Sequence, residues 1–500
     1  MVEHEDNRDG ALRRRAARAV GWSIARIAGD QLFGFLVFAA LARTLDPATL
    51  GIFIVGLAVA EVGKIVAQGG LVSSLYRAPA LTPQLVDTVF WANLGMGVVV
   101  ALACLVLQYP LARAMGSAEA APVIAAMGFV VPISAAGASH MSRTLRAFGH
   151  RALAARSLGA GIVGGCLALW AADAGWGVWA LVFQRFASET IGTLVAWRAF
   201  RWRPGFAFSW RTLREQWRLG VSVASSQVLI VTLNRMQDVI LARTLGPGTV
   251  GVYRTAWKAM DVIAQGAITP VSTVSVPTLA KLQHDMPAFR RCYVRLVSLT
   301  AMIALPAMAG VGVMADRLIP LLFGEHWEQS VPVARVLCLL ALPVVLNFFA
   351  DPALTVLGKA GIIARLAATQ VMITLLFCLV AAPYGIVWFA AAYVARAYLT
   401  MVLQMVLLQR SAGIRARDVA VGVAPAVGAA VVMALVVWTT ADTMPQGPFD
   451  SVASLLPIAF LILQGTLVYA AVLLTFMGRR RCLELVQFAR GFSIGTQAPD

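Results

Sequence analysis

Charged and polar residues recur at helical spacing inside stretches that are otherwise apolar. Arg26 and Asp30 are four apart, as are Arg185 and Glu189; Glu61, Lys64 and Gln68 form a third set. Gln227, Asn234 and Asp238 make a stripe with Arg235 beside Asp238. Arg254, Lys258, Asp261 and Gln265 follow at i, i+4, i+7 and i+11, and Tyr393, Arg396, Thr400 and Gln404 at i, i+3, i+7 and i+11. Residues three or four apart share a helix face, so each set is one polar stripe. These residue types suit binding rather than bond-making. Guanidinium and ammonium groups complement phosphate and carboxylate, while amides and hydroxyls offer neutral hydrogen bonds. The candidate substrate-binding residues are therefore Arg26, Lys64, Arg185, Arg235, Arg254, Lys258 and Arg396, with Gln68, Asn234, Thr400 and Gln404. Asp30, Glu61, Glu189, Asp238 and Asp261 are the candidate charge partners or carriers of a coupling ion.

A competing reading is that an opposite charge one turn away neutralises its partner and fixes helix rotation. It is weakest for Arg254 and Lys258, which are like charges one turn apart, and for Arg396, whose stretch holds no acid. A charge near the centre of a membrane helix costs about 2.5–3.5 kcal/mol on insertion scales, so about a dozen facing lipid would cost tens of kcal/mol. They are expected to face one another or a watery cavity, and a surplus of positive charge there would attract an anionic substrate.

Catalytic and metal-binding patterns are missing. Gly358-Lys359-Ala360-Gly361 lacks the spacing of a nucleotide-binding loop. His140 and His150 fall in or beside a basic loop and His284 and His326 are isolated, so all four read as solvated loop histidines without metal-ligand spacing. Six scattered cysteines form no disulfide framework. No cofactor, no metal and no enzymatic activity are expected; transport would draw on an ion gradient, the membrane potential or the substrate's own gradient.

The elements that must position these residues are membrane helices. Of 500 residues, 59% are hydrophobic and 13% charged, against roughly 25% charged in soluble domains. That excludes an ordinary soluble enzyme. Lys and Arg total 41 and Asp and Glu 24, giving +17. The basic residues lie between long apolar runs, as positive-inside loops do, rather than as a nucleic-acid footprint. A spanning helix needs ~20 apolar residues. The pattern predicts fourteen, at about 20–42, 50–75, 88–109, 120–139, 152–172, 176–198, 219–243, 249–277, 293–314, 331–350, 361–382, 385–408, 418–440 and 453–477. Lys/Arg-rich loops alternate with poor ones through all fourteen, which places both termini in the cytoplasm. Residues 199–218, with Trp202, Phe206, Phe208, Trp210 and Trp217 among five Arg, read as a basic linker and as an interfacial helix on an anionic leaflet.

An internal repeat organises the chain. LARTLDPATLG at 41–51 and LARTLGPGTVG at 241–251 agree at eight of eleven positions, offset by 200, and the offset sets Glu61 over Asp261. It contains six predicted spans, an even number, so the halves share one orientation. The expected fold is an all-α integral membrane protein of about fourteen transmembrane helices. Two six-helix lobes in parallel pseudo-twofold repeat are joined by two C-terminal helices. The lobes are residues 1–198 and 219–410, with 199–218 as the basic amphipathic cytoplasmic linker and 411–500 as the two additional helices and cytoplasmic tail. Two lobes suit alternating access at a seam lined by the first, second, seventh and eighth spans.

Short patterns along the chain resemble the polysaccharide transporter family of flippases, within the multidrug/oligosaccharidyl-lipid/polysaccharide exporter superfamily. They are Gln31 with Leu41-Ala42-Arg43-Thr44-Leu45-Asp46-Pro47 and Gly51; Asp87-Thr88-Val89-Phe90-Trp91; Phe323-Gly324-Glu325-His326-Trp327; Leu354-Thr355-Val356-Leu357-Gly358; and Tyr384-Gly385. The resemblance implies a flippase moving undecaprenyl-diphosphate-linked oligosaccharide units from the inner to the outer leaflet of the bacterial inner membrane. Such units would serve exopolysaccharide, capsule or lipopolysaccharide synthesis. It implies as partners the lipid-linked oligosaccharide, membrane lipids and polymerase and export machinery, with no nucleic acid. It also implies that 418–440 and 453–477 line a groove for a lipid tail. The rival within the superfamily is a cation-coupled multidrug exporter. The positive surplus argues against it, because cationic drugs call for an acidic cavity. A polymerase or ligase would need a large outer loop, and the longest outer connection, around 315–330, is too short.

Overall fold

The computed structural model describes residues 29–77, 81–146, 150–199, 202–444 and 455–493. Among these the chain is all helical. Two compact units, Met1–Gly251 and Val252–Asp500, divide it.

The first unit opens with α1 (29–44), then α2 (Pro47–Gln68), α3 (Val72–Arg77) and α4 (Pro83–Val106). Short α5 (Gln108–Ala114) leads into α6 (Ala121–Gly128), α7 (Val130–Arg146), α8 (His150–Asp173) and α9 (Val178–Ala199). α10 (Trp210–Leu245) follows an extended strap at 202–209, and α11 (Pro247–Lys281) begins one residue after Gly246. Proline opens α2, α4 and α11, where a missing N–H costs nothing. Ala60 of α2, Val123 and Met127 of α6, Val130 of α7 and Val182 of α9 make the unit's central apolar cluster.

α10 belongs with the first unit because it packs along α2. The division lies at Gly251, inside α11. Backbone contacts bind α10 at one end: a Cβ on Gly220 would lie 2.5 Å from the Gly69 carbonyl, and one on Gly70 only 2.2 Å from that of Gly220. The repeat emerges here as geometry. A Cβ on Gly51 would lie 1.8 Å from the Pro247 carbonyl oxygen, and one on Gly251 would lie 2.1 Å from that of Pro47. The offset of 200 exchanges the members of these two contacts, so the repeated glycines are mutual crossing points.

The second unit continues through α12 (Met286–Val313), α13 (Ala315–Phe323), α14 (Ser330–Cys338), α15 (Ala341–Phe348) and α16 (Ala350–Val356). α17 (Ala360–Ala381), α18 (Ile386–Ala412), α19 (Ala416–Thr443) and α20 (Leu455–Ser493) complete it. α19 packs on both α12 and α20, around buried Met314, Met433, Val437, Ala441 and Leu461. The two helices beyond the repeat are thus integral to this unit. Buried Arg317 caps α19, its Nη2 donating to the carbonyls of Ala441 (2.6 Å) and Met444 (2.8 Å). Cations also close α18: Arg290 Nε donates to Ala412 O (2.9 Å) and Lys359 Nζ to Ser411 O (2.6 Å). Last-turn carbonyls lack intrahelical partners, which is what these side chains supply.

Among the described residues, eight helices are long and apolar enough to cross a membrane. The pair Ser330–Cys338 and Ala341–Val356, bent by 46°, raises that to nine. The fourteen expected from sequence are not all of this kind. α9, α10 and α11 are long enough but fall outside the eight, and they carry most of the charges singled out above. The same side chains that mark a candidate site dilute the apolar signal of the helix that holds them.

Candidate functional site

In the first unit the charges of α2 reach across to other helices. Lys64 Nζ donates to Glu189 Oε1 on α9, and Arg185 Nη2 lies 3.2 Å from the same oxygen. One turn toward the start of α2, Glu61 Oε2 accepts Arg235 of α10 through Nε (2.9 Å) and Nη2 (2.5 Å). Arg235 Nη1 also lies 3.4 Å from Asp238, whose side chain is fully buried. Two ion clusters therefore sit three residues apart on one face of α2 and tie it to α9 and α10. Glu189 Oε2 is buried with no hydrogen-bond partner, so the first cluster leaves one acceptor unmatched. Arg156 of α8, which sequence reasoning passed over, donates through Nε to Gly192 O at 3.1 Å, one turn beyond Glu189. Small residues admit it: a Cβ on Gly192 would lie 3.1 Å from that nitrogen.

Gln68 is half-buried at the end of α2 and Asp30 half-buried on α1. Arg26 and the Asn234 side chain lie outside the described residues.

The second unit arranges its cations differently. Tyr253 and Trp257 of α11 face Phe389 and Tyr393 of α18. Ring centroids are 5.5 Å apart for Tyr253–Phe389 and 5.4 Å for Trp257–Tyr393, both edge to face. Tyr253 and Phe389 are fully buried, while Trp257 and Tyr393 are half-buried. The Arg396 guanidinium lies over the Tyr393 ring, 4.2 Å from its centroid, in a cation–π contact. Arg396 Nε is buried without a hydrogen-bond partner, and so is Gln404 Oε1. Thr400, between them on α18, donates to its own helix at Ala397 O (3.0 Å). Lys258, beside Trp257, makes no ion pair among the described residues. The acid of its own helix, Asp261, instead accepts Gln265 Nε2 at 3.4 Å. Arg254 is half-buried one turn before Lys258. α18 thus presents a cation over an aromatic ring that α11 meets edge to face, with hydrogen-bonding capacity left on Arg396 and Gln404. Trp257 was missed in the sequence; its position next to Lys258 on a polar stripe was the available signal.

A third constellation corrects the reading of His140. That residue is fully buried, not solvated. Its ring stacks on Trp197 at 4.6 Å and meets Trp202 at 5.0 Å and Phe90 at 6.4 Å. His140 Nε2 lies 3.0 Å from the Trp202 carbonyl, which can only accept. Around it, the first turns of α4 grip the strap. Gly205 N–H donates to Asp87 Oδ1 (3.2 Å), Ser209 N–H to Thr88 Oγ1 (3.1 Å), and Trp91 Nε1 to Gly205 O (2.8 Å). Asp87-Thr88-Val89-Phe90-Trp91 is thus a clasp for the strap ahead of α10. Two further patterns also have structural roles. Gly324 (φ 102°) and Gly385 (φ 108°) occupy backbone conformations that favour glycine. Trp327, three residues past Gly324, is fully buried.

Fold and site define an all-helical, multi-span membrane protein with polar stripes on apolar helices and no groups of His, Cys, Asp or Glu placed to hold a metal among the described residues. The chain belongs to the polysaccharide biosynthesis protein family, whose pattern it matches over residues 40–332. It is 28% identical over 322 residues to the succinoglycan biosynthesis transport protein ExoT of Rhizobium meliloti, covering 64% of this chain and 65% of that one. It is 23% identical over 339 residues to the lipopolysaccharide biosynthesis protein WzxC of Escherichia coli, covering 66% and 68%. The matches span about two thirds of these relatives' lengths. Its fold is that of the lipid II flippase MurJ in an inward closed conformation (TM-score 0.70, 12% identity, 91% of this chain and 98% of that one). An inward-facing multidrug transporter of the MATE family shares it less fully (TM-score 0.60, 16% identity, 77% and 94%).

Proposed function

We propose that the protein is a flippase that moves lipid-diphosphate-linked oligosaccharide units across the bacterial inner membrane by alternating access, for exopolysaccharide, capsule or lipopolysaccharide synthesis. The observation that carries this reading is the family match over residues 40–332, and the transport and lipopolysaccharide roles named for its relatives agree with it. In this reading the chain keeps fourteen spans in two six-helix lobes with two further helices and both termini cytoplasmic. Polymerase and export machinery would take up the delivered unit.

At residue level, Lys258, Arg396 and Arg254 bind the diphosphate or acidic sugars. The buried, unmatched Nε of Arg396 and Oε1 of Gln404 support that assignment, because an unpaired buried polar group is costly until a ligand satisfies it. Trp257 and Tyr393 offer aromatic faces to sugar rings. Lys64, Arg185 and Arg235 are committed to Glu189, Glu61 and Asp238. They hold α2, α9 and α10 in register, and those acids carry any coupling ion.

Deletion in the host, followed by analysis of lipid-linked intermediates, tests the function. The expected result is accumulation of complete, unpolymerised repeat units on the inner leaflet. Unchanged intermediates with altered drug tolerance would replace the flippase with a multidrug exporter.

A further inference from the structure

We propose that the strap and first turns of α10, residues 202–217, form an anchoring surface for the anionic headgroup layer of a phospholipid bilayer. The clasp uses the strap's backbone: Gly205 and Ser209 are held through their N–H groups, and Gly205 also through its carbonyl. Phe206 stacks one ring face on Trp91, centroids 5.6 Å apart, and its other face and the aromatics beyond it stay open to the surroundings. Phe206 is 90% exposed and Trp210 71% exposed, with Phe208 and Trp217 also exposed. Four large aromatics at one rim form an apolar patch that calls for a partner.

Charge and level identify the partner. Exposed Arg203, Arg211 and Arg214 are interleaved with the aromatics. The only acid in 202–217 is Glu215, paired with Arg211 at 3.2 Å, so the segment carries 3 − 1 = +2. The clasp residues Asp87, Thr88 and Trp91 lie in the first turns of Pro83–Val106, a helix apolar enough to cross a membrane. A strap bound to the end of a spanning helix lies at headgroup depth, where amphipathic aromatic rings and arginines concentrate. The inward side of the same segment is apolar in the ordinary way, with Leu213 in a core with Leu71, Leu75, Leu85, Val86 and Val89. The two faces therefore have separate partners: the protein core and the anionic leaflet.

The test uses the full chain with Phe206→Cys labelled by an environment-sensitive fluorophore, in a Cys166→Ser background because Cys166 is exposed. It is reconstituted into vesicles of phosphatidylcholine alone or with added phosphatidylglycerol. With phosphatidylglycerol, quenching by aqueous iodide should fall roughly threefold and quenching by headgroup-level spin-labelled lipid should rise, since each basic residue gains from an anionic surface. In Arg203→Gln/Arg211→Gln/Arg214→Gln the iodide protection should return to the phosphatidylcholine value with thermal unfolding unchanged. Arg211→Gln alone, at a side chain 91% exposed, should show the same trend if the triple variant folds poorly. Equal iodide access in both vesicle types, or protection that survives the substitutions, would overturn the proposal.

Discussion

The charges on the polar stripes of the two units are handled in opposite ways. In the first, Glu61, Lys64, Arg185, Glu189, Arg235 and Asp238 close on one another within two clusters across α2, α9 and α10. In the second, Arg396 lies over Tyr393 with its Nε and Gln404 Oε1 buried and unmatched, and Lys258 makes no ion pair among the described residues. A charge whose partner is already in place has little left to offer a ligand, and removing that partner strands it. A cation held by aromatic rings keeps its hydrogen-bonding capacity. The proposed function accordingly gives helix registration to the first set and ligand contact to the second.

The contrast breaks most visibly at Glu189. Glu189→Ala leaves Lys64 and Arg185 without a counter-charge and should destabilise by about 3–5 kcal/mol, read as a fall in the unfolding temperature of the purified protein. Replacing the cluster as a whole, Lys64→Met/Arg185→Met/Glu189→Leu, should recover most of that loss, because an apolar set of similar volume avoids the desolvation cost. If the triple variant is no more stable than Glu189→Ala, the cluster does more than register helices.

A smaller loss is expected where the repeat crosses itself. Gly51→Ala places a methyl 1.8 Å from the Pro247 carbonyl oxygen and should cost about 1–3 kcal/mol as an overpacked contact. Gly248→Ala, whose nearest neighbour would be 3.8 Å away, should stay within about 0.5 kcal/mol. The same thermal assay compares them. At the clasp, Asp87→Ala removes the acceptor for Gly205 N–H and should cost about 1–2 kcal/mol, with faster proteolysis at 202–209. A comparably small cost, about 1 kcal/mol at most, is expected for Lys258→Gln/Arg396→Gln, which loses no ion pair and only the Arg396–Tyr393 cation–π contact.

Much of this was legible from residue spacing. Glu61 and Lys64 of the predicted stripe meet partners on other helices, and the 41–51/241–251 repeat reappears as the reciprocal contacts of Gly51 and Gly251. Partner choice was less legible. Spacing pairs Arg185 with Glu189 and Arg235 with Asp238, and both contacts form, but Lys64 and Glu61 are joined by helices more than a hundred residues away. His140 read as a loop residue because basic residues follow it; only tertiary packing brings Trp197, Trp202 and Phe90 around it. The Asp87–Trp91 pattern was visible without its meaning, because a clasp is defined by the backbone it holds and not by its own sequence. Short α5 and α13 fall in stretches read as connections, and the bend between α14 and α15 lies inside the expected span 331–350, because composition does not mark where a helix breaks.

The most direct test of the central contrast is polymer export per folded molecule in Lys258→Gln/Arg396→Gln, measured in a deletion host beside the wild type. The account predicts that export falls at least about tenfold, equivalent to about 1.4 kcal/mol of lost ligand stabilisation, while the amount of folded protein is unchanged. Wild-type export in the double variant would contradict it.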